Sequence, residues 1–135
     1  MSWDIYVQDF PLHAATIDDV PNDFVPAPIG TRSEIIREIQ DVVPFADFSD
    51  PSWGKIDGDK FSIEVSLGKD EELSSFAFHV RGDNEAAAVV SEILIGLKLK
   101  AFDTGTGEFF DHSQAAAGLQ RWREFRDRVI TSSKG

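Results

Sequence analysis

Apolar and polar positions alternate at the start of the chain. Trp3, Ile5 and Val7 fall on one side and Asp4, Tyr6 and Gln8 on the other, which predicts a half-buried strand over residues 3–8. Residues 11–30 then carry Pro11, Pro21, Pro26 and Pro28 among Asp18, Asp19 and Asp23. Proline removes backbone donors and restricts the residue before it, so this stretch reads as a long irregular connection. Its apolar residues, Leu12, Ile17, Val20, Phe24, Val25 and Ile29, imply that it packs down on the domain. From Thr31 the period changes. Thr31 and Glu34 have capping-box spacing, and Ile35, Ile36, Ile39, Val42 and Val43 form one helical stripe that Pro44 stops.

Residues 45–52 read as loop, and a meander follows. A short strand over 53–56 leads to Asp57-Gly58, a hairpin signal that calls for a positive φ. Phe61, Ile63, Val65 and Leu67 alternate with Ser62, Glu64 and Ser66. After a charged turn over 68–72, Phe76, Phe78 and Val80 alternate with Ala77, His79 and Arg81. Asp83 or Asn84 caps a second helix with the stripe Ala86, Val89, Val90, Ile93, Leu94 and Leu97. Residues 99–103 and 108–111 form a hairpin across Thr104-Gly105-Thr106-Gly107. Ser113 is the expected cap of a last helix that buries Ala115, Leu119, Trp122, Phe125 and Val129, with residues 132–135 fraying. The pattern predicts a single α+β domain over residues 1–135. It has a mainly antiparallel sheet of about five to six strands, with three helices mostly on one face.

Composition narrows the chemistry. With 41% hydrophobic and 27% charged residues the chain is globular in type. It has no cysteine, so disulfides, thiolate catalysis and zinc–thiolate or iron–sulfur sites are excluded. No apolar run approaches the roughly 20 residues of a membrane span. The first residues lack a basic start before a long apolar run, so a cytoplasmic location is expected. The net charge of −11 is lopsided: residues 1–75 hold 16 Asp/Glu against 5 Lys/Arg, and residues 76–135 hold 8 of each. The last helix is basic, with Arg121, Arg123, Arg126 and Arg128. An acidic surface repels nucleic acid and anionic lipid, so neither is expected as a partner.

Several short motifs invite chemical readings. Asp103-Thr104-Gly105 resembles the active-site tripeptide of aspartic proteases, where two such aspartates share a proton. This chain has one copy, and turn formers of a glycine-rich hairpin account for it. Gly105-Thr106-Gly107 lacks the Lys-Ser/Thr of a phosphate loop. Asp57-Gly58-Asp59 lacks calcium-loop spacing. His13, His79 and His112 have no metal-ligand spacing, so no metal or other cofactor is expected. Alternation puts Asp4, Tyr6, Gln8, Ser62, Glu64, Ser66, Ala77, His79 and Arg81 on the sheet face away from the core. Tyr6, Glu64, His79 and Arg81 are the candidate ligand-binding residues, and no catalytic set is assigned. The ordinary alternative is a solvated sheet face with cross-strand ion pairs.

The opening Met1-Ser2-Trp3-Asp4-Ile5-Tyr6-Val7-Gln8-Asp9-Phe10-Pro11 and the element Phe102-Asp103-Thr104-Gly105-Thr106-Gly107-Glu108-Phe109 resemble a family of small bacterial proteins. That resemblance implies no activity and no site residues. In size and charge the chain is also similar to immunity proteins of bacterial toxin systems. The expected function is a non-catalytic protein-binding module that meets a basic protein partner through its acidic surface. An immunity-type toxin inhibitor and a small enzyme or ligand binder using the polar sheet face are the alternatives.

Overall fold

The computed structural model describes residues 3–11, 14, 16–58, 60–82 and 84–134. The alternating opening forms β1 (Trp3–Gln8). The proline-rich stretch contains a short 3₁₀ turn (Ile17–Asp19) and ends in the two-residue β2 (Gly30–Thr31). Helix α1 (Arg32–Val42) starts as the sequence predicts. The Thr31 hydroxyl accepts from the Glu34 amide, and the Glu34 carboxylate accepts from the Thr31 amide, so two helix-start donors are satisfied reciprocally. The helix stops at Val43, whose amide donates to the Ile39 carbonyl just before Pro44.

The meander is β3 (Trp53–Asp57), β4 (Ser62–Ser66), the short β5 (Glu72–Leu73) and β6 (Ser75–Arg81). The β3–β4 hairpin departs from the expected turn. Gly58 donates its amide to the Phe61 carbonyl across a longer loop, at 2.9 Å, and its φ lies outside the left-handed region. Glycine is needed there for space, because a Cβ would overlap the Phe61 ring. Helix α2 (Asn84–Leu97) ends at Lys98, which takes the left-handed conformation at φ 58°. Strands β7 (Lys100–Asp103) and β8 (Glu108–Phe109) follow. The cap of the last helical region is Asp111 instead of Ser113. Its Oδ1 accepts from the Ser113 amide and hydroxyl, opening a 3₁₀ turn (His112–Ala115) that runs into α3 (Ala116–Lys134). His13, Asp59 and Asp83 lie outside the described residues.

Six strands make one sheet in the order β3-β4-β6-β1-β7-β8, with every pairing antiparallel. β2 and β5 form a separate two-stranded ribbon. The inward positions Ile5, Val7, Ile56, Ile63, Val65, Phe78 and Val80 form one core with Ile35 and Ile39 of α1, Val89, Val90, Ile93 and Leu94 of α2, and Trp122 of α3. Burying each such side chain contributes roughly 1.5–3 kcal/mol. The helices therefore cover one face, and the fold is α+β as the pattern predicts. The opposite face is open at Tyr6, Trp53 and Lys55, while at its β7–β8 end Phe10 packs on Phe109 and Lys100 donates to the Pro11 and Ala14 carbonyls. No helix among the described residues is long and apolar enough to cross a membrane.

Candidate functional site

The open face is built in rows that run across the strands. Facing residues of neighbouring antiparallel strands lie roughly 4.5–5.5 Å apart, so register alone determines which side chains are neighbours. One row is Lys55–Glu64–His79–Asp4, from β3 through β4 and β6 to β1. The next row spans all six strands as Trp53–Ser66–Ala77–Tyr6–Phe102–Phe109. A third row is Asp57–Ser62–Arg81. The sequence candidates are thus distributed over three rows. Glu64 faces His79 directly, while Tyr6 and Arg81 stand in the rows on either side.

On this face His79 is hydrogen-bonded to Asp4, at 2.8 Å between Nδ1 and a carboxylate oxygen. An ionised carboxylate can only accept, so His79 Nδ1 carries the proton. The Trp53 ring stacks on the His79 ring, with centroids 5.5 Å apart and planes at 17°. Sequence reasoning placed Asp4 on the polar face but did not make it a site residue, because the β1–β6 register has no local signal. It also missed Trp53, whose alternation with Gly54 and Ile56 puts it outward. Tyr6 is 47% exposed and Trp53 37%, so both aromatics meet solvent.

A carboxylate orienting an imidazole is half of a general-base device. The other half is a pocket that holds a reacting group, and the cavity beside Trp53, about 130 Å³, is lined by Asp47, Ser49, Asp50, Trp53 and Lys55 but not by His79. Hydrogen bonds from Ser49 and Ser52 hold the Asp47 and Asp50 carboxyls below the usual carboxylate range, so both are ionised at neutral pH. The Trp53 end of the aromatic row is thus bordered by two fixed negative charges. Among the described residues no group of three His, Asp or Glu side chains can hold a metal ion.

The protease-like tripeptide is a structural element. Asp103 is 1% exposed and lies on the helix side of the sheet. Its Oδ1 accepts from the Trp3 indole at 2.6 Å and from the Gly105 amide at 2.8 Å. Thr104 binds the Asp4 carbonyl through its amide and hydroxyl. The motif ties the β7–β8 turn to β1. The basic last helix is partly neutralised internally, with Arg123 and Arg126 both on Glu92, at 2.9 and 3.4 Å. Comparison with protein-family models, curated proteins and solved structures gives no match to this chain.

Proposed function

We propose that this chain is a non-catalytic binding protein that docks a basic polypeptide partner on the open face of its sheet. The observation that supports this reading is the row Trp53–Ser66–Ala77–Tyr6–Phe102–Phe109, with aromatic side chains at four of its six positions. A solvated sheet face ordinarily carries polar residues throughout. An aromatic centre with a charged rim is the composition of a protein interface, where a few aromatic anchors carry most of the affinity. Complementarity selects the partner's sign. Asp4, Glu64, Asp47 and Asp50 border the row together with Lys55 and Lys100, and the chain as a whole carries −11. Nucleic acid would also stack on aromatics, but that charge repels phosphate.

The test is affinity capture from the native cell with the wild-type chain and the Tyr6→Ala/Trp53→Ala double variant. The captured protein is then identified and its affinity measured. Expected is one basic protein whose binding weakens by at least about thirtyfold in the variant, the ~2 kcal/mol of a lost anchor. A partner that is acidic, or that binds the variant as tightly as the wild type, overturns the proposal. Capture of only the chain itself would assign the face to self-association and overturn it equally.

A further inference from the structure

Residues 20–29 join the first 3₁₀ turn to β2 without helix or strand. The strap they form is tied down at its ends. Asp19 accepts from the Thr16 amide at 3.0 Å, the Phe24 amide donates to the Pro21 carbonyl at 3.0 Å, and the Ile29 amide donates to the Leu73 carbonyl at 2.7 Å. Between Phe24 and Ile29 the sequence is Val25-Pro26-Ala27-Pro28, and no hydrogen bond among the described residues engages it. Proline fixes its own φ at roughly −65° and drives the residue before it out of the helical region. Two successive X-Pro pairs therefore hold this stretch extended by sterics alone. The expectation that the apolar residues of this connection pack down fails at one of them. Val25 is 82% exposed, the most exposed large apolar side chain among the described residues, while Phe24, Pro26 and Ile29 are half-buried. Ala27 and Pro28 are exposed as well.

We infer that Val25–Pro28 is a docking strap for a second protein, one whose aromatic-lined groove reads a polyproline II backbone. That helix has three residues per turn and no internal hydrogen bonds. Val25 and Pro28, three apart, share one edge of it, and both are exposed to solvent. Carbonyls that no internal bond consumes accept from the donors of such a groove. A backbone preset by proline loses little freedom on binding, so a short contact suffices. Charge selects among such grooves. Asp18, Asp19 and Asp23 flank the strap, and no Lys or Arg precedes Arg32 in the chain. The rim of the groove is therefore basic. Pairing as an added β-strand is the other way to bind an extended segment, but Pro26 and Pro28 lack the amides that a ladder needs. The strap is no part of the aromatic row, so the inference does not rest on the sheet-face reading.

The test places a photo-cross-linker at Asn22, an exposed turn position that leaves Val25–Pro28 intact. The full chain is cross-linked in the native cell, and the partner is identified, purified and titrated against the unmodified chain. Expected is one protein with an aromatic groove and a basic rim. The Val25→Ala/Pro28→Ala variant should bind it at least about tenfold more weakly, and an oligoproline peptide should compete. Both side chains are exposed, so that variant should fold as the wild type does, which NMR of the free chain verifies. Tyr6→Ala/Trp53→Ala separates the strap from the sheet face. A partner weakened by the strap variant, alone or together with the sheet-face variant, supports the inference, even where the sheet-face reading fails. A partner weakened by the sheet-face variant alone overturns it. So do the absence of any cross-linked protein, a partner that binds Val25→Ala/Pro28→Ala as tightly as the wild type, and one that oligoproline does not displace.

Discussion

At the scale of single residues, the most informative is Asp103. Read as sequence it belonged to a catalytic-looking tripeptide. In the structure it is a buried acceptor that satisfies an indole N–H and a turn amide. Removing it leaves both donors without their acceptor at a part-buried site. Asp103→Ala should therefore cost about 1–3 kcal/mol in urea unfolding, while Asp103→Asn, which keeps an acceptor oxygen, should cost less. If the asparagine variant proves as damaging as alanine, the negative charge is what stabilises the turn, and the hydrogen-bond account fails. His112 gives a second residue-level prediction. Its folded pKa is depressed by burial. The unfolded chain therefore takes up the proton first as pH falls, and stability is lost from the ordinary histidine value downwards. His112→Phe should flatten that part of the stability-versus-pH curve, a result visible in urea midpoints measured between pH 7.5 and 5.

Elements with a period of their own were legible; elements defined by distant partners were not. The capping box of α1 and the alternation of β1, β4 and β6 are local patterns, and the structure reproduces them. The β2–β5 ribbon joins Gly30–Thr31 to Glu72–Leu73, and two residues carry no periodicity. The last helix's cap was misplaced because Asp111 and Ser113 are both good cap residues, and only the intervening 3₁₀ turn decides between them. The Ser91–His112 bond depends on how the 3₁₀ turn docks on α2, which no local pattern encodes. The α2–α3 contact has a similar hidden requirement. Gly118 lies inside the last helical region, and a Cβ there would overlap the backbone of Asn84 and Glu85. Helix propensity favours Gly118→Ala by about 1 kcal/mol. Overpacking against a rigid backbone costs about 1–3 kcal/mol, so the clash should win. The variant should melt below the wild type; a higher Tm would mean that the two helices separate at little cost.

At the scale of the molecule, charge acts on folding and on docking with opposite signs. The composition makes the −11 plain, but only register shows that Asp4 and Glu64 share one row beside four aromatics. A compact acidic chain repels itself, and salt screens that repulsion with a Debye length of about 10 Å at 0.1 M. The surface pairs of Arg123 and Arg126 with Glu92 weaken at the same time, but each contributes at most about 1 kcal/mol. Self-repulsion should dominate, so raising NaCl from about 10 to 300 mM should raise Tm by a few degrees, where 1 kcal/mol corresponds to about 3–5 °C. Acid acts on specific carboxylates. Glu34, Asp47, Asp50 and Asp111 are held below their ordinary values of 4.5 and 3.8 by Thr31, Ser49, Ser52 and Ser113. Their contribution is present above those values and lost as pH falls through the depressed ones. In high salt, where relief of repulsion no longer compensates, stability should therefore fall steadily in that range. Docking of a basic partner should respond to salt in the opposite direction, weakening over the same span in which Tm rises. Measuring both on one preparation separates the two effects. Binding that strengthened with salt in parallel with Tm would be apolar in origin, and Asp4 and Glu64 would then have no part in the interface.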